Sequence, residues 1–257
     1  MIKQETYPIL EFDDFSNTVI DIRRNIYLNE PLPQRCVLSF FGEAVKDYVS
    51  KNSCRQIGNL KLETFVLPIY EIDMRNEKIA LIHALGSGPY AAGQIEKLSA
   101  MGCNTFMICG GCGVLEAGSK CGDIYVPIAA VRDEGTSYHY VAPAREIKMK
   151  QEVSDKICSY LTDCAIPFKC VKTWTTDAIY RETESMIMLR REEGCSVVDM
   201  ECASFFAVAQ HKNLKLGQIL YAGDDLSGKT WDSRNWKGNF DARYNLLILS
   251  LDMVLYL

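Results

Sequence analysis

No stretch of this 257-residue chain stays apolar for anything near the ~20 residues that cross a bilayer, so no membrane-spanning helix is expected. Positive charge is in short supply too: 28 basic side chains face 33 acidic ones, a formal net charge of −5. That balance argues against a surface built for a nucleic-acid backbone or an anionic membrane. There are only three histidines, His83, His139 and His211, and none has the companions of a catalytic triad or a metal site at motif spacing. The opening MIKQETYPILEFDD places acids where a signal peptide carries its apolar core, so a cytoplasmic protein is expected. Repeats, low-complexity tracts and linker-like composition are missing as well. One domain over residues 1–257 is the simplest reading.

Cysteine, by contrast, is plentiful at eleven. An odd count in a chain too large to need staples, with no export signal, reads as reduced thiols. Cys103, Cys109, Cys112 and Cys121 include one C-x-x-C pair, but a zinc ribbon needs a second, so no metal is expected. Cys112 also lacks a companion histidine that would make it a nucleophile.

The pattern along the chain alternates strands and helices, which predicts an α/β domain. Asp13–Tyr27 has helical spacing and gives residues 1–35 the look of an N-terminal helical extension ending at Leu28–Pro31. Cys36–Phe41 reads as a buried strand, then Gly42, then a helix over Glu43–Lys51. Thr64–Ile72 and Lys78–Leu85 form a predicted hairpin around Asp73–Glu77. Gly86-Ser87-Gly88-Pro89 then opens a helix over Tyr90–Met101, with proline in its first turn. Strand Thr105–Cys109 leads to a second glycine-rich corner, Gly110–Gly113. Neither corner has the spacing of a dinucleotide fingerprint or a P-loop, so both cofactors are rejected. Asp123–Val131 is a strand, Glu146–Cys164 a helix, and Phe168–Trp174 a strand entering the polar run Thr175–Thr183. Glu184–Glu193 and Phe240–Leu257 close the list of expected helices.

The most informative stretch is Gly194–Gly228. Two strand-like runs, Cys195–Val198 and Gln218–Ala222, each end in acid: Asp199-Met200-Glu201 after the first, Asp224-Asp225 after the second. Acids at a helix start have an ordinary reason, since they complement the positive end of its dipole. Two such strand ends around one helix point instead to a site, because ligands collect at the carboxyl ends of sheet strands.

These residues carry a resemblance. Gly86–Met101, Ile108–Gly122, Thr175–Tyr180 (TTDAIY) and Val197–Phe206 (VVDMECASFF), with Gly223-Asp224 beyond, resemble the nucleoside phosphorylase superfamily in the family's own order. The likeness spans residues 36–257 and includes purine and uridine phosphorylases and hydrolytic nucleosidases. It implies one α/β domain whose central mixed sheet is partly closed as a barrel and flanked by helices. It also implies a homo-oligomer, from dimer to hexamer, with no cofactor and with inorganic phosphate as co-substrate. By position, Met200, Glu201 and Asp199 would meet the ribose, and Asp224 would protonate the departing base. Ile179, Tyr180 and Arg181 would line the base pocket, and Gly42, Lys46, Gly110 and Gly111 would face phosphate or another nucleophile. Asp224 beside Asp225 should have a raised proton affinity, because like charges disfavour double ionisation.

Three positions depart from the phosphorolytic pattern. Ile108 and Lys46 stand where arginines hold phosphate, and Gly111 replaces a serine or threonine. Arg35, Arg55, Arg75 or a neighbouring subunit could supply the missing charge. The expected activity is cleavage of a ribonucleoside's N-glycosidic bond by phosphorolysis. The alternatives are a phosphate-independent nucleosidase and a non-catalytic nucleoside-binding homologue. Asp224 leans toward purines, the segment around Tyr180-Arg181 toward uridine.

Overall fold

Cys36, Val37 and Leu38 are fully buried, as in a strand covered on both faces, and form β1 (Arg35–Ser39). In this computed structural model, which describes residues 2–14, 18–22, 30–64 and 66–257, β1 sits inside a mixed sheet. It pairs in parallel with β4 (Glu77–His83) on one side and β5 (Thr105–Val114) on the other. Beyond β4 the sheet continues antiparallel through β3 (Val66–Met74) to β2 (Arg55–Lys61). The β3–β4 hairpin turns at Arg75 and Asn76, both with positive φ, as a tight hairpin turn requires.

From β5 the pairing makes a circuit. β5 pairs in parallel with β10 (Lys215–Asp225), and β10 antiparallel with β6 (Ile124–Asp133). β6 pairs in parallel with β8 (Phe168–Thr176), and β8 with β9 (Cys195–Asp199). β9 then returns antiparallel to β5. The central mixed sheet is therefore partly closed, which removes free edges from that half. A short strand, β7 (Glu146–Lys148), extends β6.

Helices α1 (Gly42–Lys51), α2 (Gly88–Ala100), α3 (Gln151–Asp163), α4 (Glu184–Glu192), α5 (Cys202–His211) and α6 (Phe240–Met253) flank the sheet. Eight consecutive residues of α5, Cys202–Ala209, are buried, so this helix is covered on all sides. It packs between the sheet and α2, which fixes where residues 199–201 enter the interior.

Several expectations change. Of the helix expected over 13–27, residues 15–17 and 23–27 lie outside the described residues; 13, 14 and 18–21 are not helical. Gly110–Gly113 is no corner but the second half of β5. Glu146–Cys164 splits, because Ile147 is drawn into pairing opposite Ala130 before α3 begins. β2, whose sequence RQIGNLK has no apolar run, is an addition. The last helix ends at Met253.

Candidate active site

The two acidic strand ends meet at one cavity of about 310 Å³. β10 runs parallel to β5 and β9 antiparallel to it, so their carboxyl ends reach Cys112–Val114 from opposite directions. Met200 and Glu201 thus enter the cavity from one side and Asp224 from another. Ile179 and Glu182 come from the segment after β8, Phe40 and Phe41 from the end of β1, and Gly111, Cys112 and Gly113 from β5. Gln218 and Leu220 of β10, Trp236, and Arg243 of α6 complete most of the wall.

Each carboxyl has a different environment. Glu201 Oε1 accepts the Ser87 N–H at 2.7 Å, at the start of α2. That approach is possible because Gly88 packs under α5: a Cβ there would lie 2.6 Å from Ser204 Oγ. Glu201 is half-buried; burial, then the Asp199 charge, push its carboxyl up to about 8 despite the Ser87 bond.

Asp199, expected at the ribose, borders the cavity, but its oxygens are engaged by the protein. Its Oδ1 accepts Thr173 and Thr175 hydroxyls at 3.0 and 2.8 Å. Its Oδ2 accepts the Glu201 and Cys202 N–H groups at 3.0 and 2.6 Å. A carboxylate with four donors anchors the entry of α5 and has little left for a ligand.

Asp224 Oδ2 accepts the Trp231 indole N–H at 2.7 Å. The neighbour expected to raise its proton affinity is otherwise engaged. Asp225 Oδ1 accepts the Ser227 N–H at 2.7 Å, and Oδ2 pairs with Arg234. Burial would raise the Asp225 carboxyl, but the Ser227 and Arg234 contacts outweigh it and hold it below the usual range. The carboxyl that does feel Asp224 is Glu182, pushed up to about 7 by burial and by the Asp224 charge.

Other expected residues stand further off. Tyr180 is 97% exposed and Arg181 is exposed; neither lines the cavity, since only Ile179 of that turn faces in. Lys46 is exposed on α1 and Gly42 abuts His83, a Cβ there falling 3.1 Å from Nε2. Gly110 is buried against Phe40, so of the four candidate nucleophile-site residues Gly111 alone lines the cavity. Cys112 lines it too, but burial pushes its thiol well above the ordinary range and it donates to the Tyr221 carbonyl at 3.4 Å. Arg35, Arg55 and Arg75 are paired at the surface with Glu77, Glu71 and Asp252. Sequence reasoning missed Glu182, Gln218, Trp236 and Arg243. A glutamine inside the apolar run of β10 was the signal available for Gln218.

The model of the phosphorylase superfamily matches residues 34–245, most of the chain. The chain belongs to that superfamily. It is similar to the guanosine phosphorylase of Halorubrum lacusprofundi, 30% identical over 138 residues, 54% of this chain and 57% of that one. The chain thus spans little more than half of that relative. Its fold resembles the uridine phosphorylase of Vibrio fischeri, with a TM-score of 0.74 and 17% identity over 87% of this chain and 92% of that one. It also resembles the AMP nucleosidase of Bacteroides thetaiotaomicron, with a TM-score of 0.69 and 21% identity over 87% of each chain.

Proposed function

We propose that this member of the phosphorylase superfamily cleaves the N-glycosidic bond of a ribonucleoside, transferring the ribosyl group to inorganic phosphate. The observation that carries the reading is the convergence of Glu201 and Asp224, from strands running in opposite directions, on one cavity with Met200 in its wall. Cleaving the bond builds positive charge on the sugar and negative charge on the base. An acid at the base improves the leaving group, worth ~10²–10⁴ in rate. In this reading Asp224, whose carboxyl accepts the Trp231 indole N–H, is that acid. Glu201 offers oxygens to vicinal ribose hydroxyls, and Met200 covers the sugar without competing for hydrogen bonds. Ile179 forms an apolar side of the base pocket. No cofactor enters the scheme. Assembly as a homo-oligomer belongs to the same proposal.

A second reading, hydrolysis by water, draws support from Ile108: it is fully buried in β5 where phosphorolytic relatives hold phosphate with an arginine. Base release from a panel of purine and pyrimidine ribonucleosides, with and without phosphate, tests both. Phosphorolysis requires release that depends on phosphate and yields ribose 1-phosphate. Release indifferent to phosphate transfers the reading to hydrolysis, and nucleoside binding without release refutes catalysis.

A further inference from the structure

Resting on the phosphorolytic reading, we propose that Arg243 and Gln218 form the phosphate subsite of this cavity, in place of the arginine lost at Ile108.

Three observations support it. Gln218 is fully buried, lines the cavity, and neither its amide oxygen nor its amide nitrogen has a hydrogen-bond partner. Nearly all buried polar groups in folded proteins are paired, so an amide unpaired at both ends beside a cavity points to a ligand as its partner. In the β10–β5 register Gln218 stands directly opposite Ile108. Its amide therefore lies beside Ile108, the position at which the family resemblance implies an arginine.

Arg243 supplies the charge. Its guanidinium carbon lies 5.0 Å from the Phe41 ring and 5.9 Å from the Trp236 ring, both cavity residues. One terminal nitrogen donates to the Lys237 carbonyl at 3.2 Å, while the buried Nε has no partner. No carboxylate among the described residues pairs with Arg243, whereas Arg35, Arg55 and Arg75 each hold one. A guanidinium held against aromatic rings presents its remaining donors in a planar fork, the geometry that suits phosphate oxygens. The Asp224 carboxylate in the cavity would repel a dianion. Phosphate is thereby directed to the wall formed by Phe41, Gly111 and Arg243.

Titration calorimetry with inorganic phosphate tests the subsite apart from turnover. Arg243→Met and Gln218→Leu should each weaken phosphate binding about tenfold to a hundredfold, the scale of a charge-assisted hydrogen bond. Nucleoside affinity should stay within about threefold, less than one ordinary hydrogen bond. Arg243→Lys, which keeps the charge but not the fork, should fall between. Q218L should melt no lower than the parent, since no protein group loses a partner. Adenosine and its 5′-monophosphate, titrated side by side, separate the two sources of phosphate: an Arg243-dependent preference for the monophosphate assigns the subsite to an ester, its absence to the free ion. Phosphate affinity unchanged in Arg243→Met or Gln218→Leu, or no phosphate binding by the parent chain, overturns the proposal. Base release that ignores phosphate while calorimetry still shows Arg243-dependent binding would sink phosphorolysis and leave the subsite standing.

Discussion

Glu201→Gln should flatten the pH dependence of stability, and this can be measured without knowing the substrate. The Glu201 carboxyl is pushed from its ordinary 4.5 up to about 8. Between those two values the folded chain keeps a proton that the unfolded chain has released. Stability from this group is therefore complete below about pH 4.5 and is lost as pH rises through about 8. At ~1.4 kcal/mol per unit, the shift sets a ceiling of roughly 5 kcal/mol. Solvent reaching the carboxyl through the cavity lowers the expectation to about 2–3 kcal/mol. Glutamine mimics the protonated acid, and its oxygen can still accept the Ser87 N–H, so local geometry should survive. Urea unfolding of the ligand-free protein from pH 5 to 9 is the assay. The parent should lose about 2–3 kcal/mol more than the variant across that range. Parallel decline of the two proteins would refute the argument that this carboxyl is held protonated by its surroundings.

Asp224→Asn should lower turnover of purine nucleosides by ~10²–10⁴ while leaving their affinity nearly unchanged; undiminished cleavage would remove Asp224 as the acid. Glu182→Gln should abolish an inflection near pH 7 in the pH–rate profile, since that carboxyl is pushed up to about 7 beside Asp224. A profile identical to the parent's would show that Glu182 does not titrate in the working cavity. Asp199→Ala should destabilise the fold by about 3 kcal/mol or more, because it strands two threonine hydroxyls and two N–H groups at the start of α5. Denaturant midpoints check this, and a loss under about 1 kcal/mol would mean that those donors find other partners.

Local sequence carried the elements whose burial is continuous and lost those defined by distant partners. Cys36–Leu38 and Ile79–Ile82 read as strands because every residue is apolar and buried. Gly110–Gly113 did not, since glycine has no side chain to show a pattern. Its reason there is tertiary: a Cβ at Gly110 would lie 2.9 Å from Phe40, and one at Gly113 2.9 Å from Val198. β2 is a strand only because β3 pairs with it.

The same distinction governs the site. That Asp199, Glu201, Asp224 and Asp225 arrive at strand ends was legible; which of them keeps an open oxygen was not. Thr173 and Thr175 take Asp199, and Arg234 takes Asp225, from positions with no motif relation to either acid. Among the arginines, Arg35 and Arg243 look alike in sequence, and only the fold gives Glu77 to one and a cavity wall to the other. The strand directions matter most. Had β9 and β10 run the same way beside β5, Glu201 and Asp224 would have emerged side by side as a carboxylate pair. Because they run in opposite directions, the two acids approach one cavity from different sides, the arrangement that the proposed reading needs for a sugar at one and its base at the other.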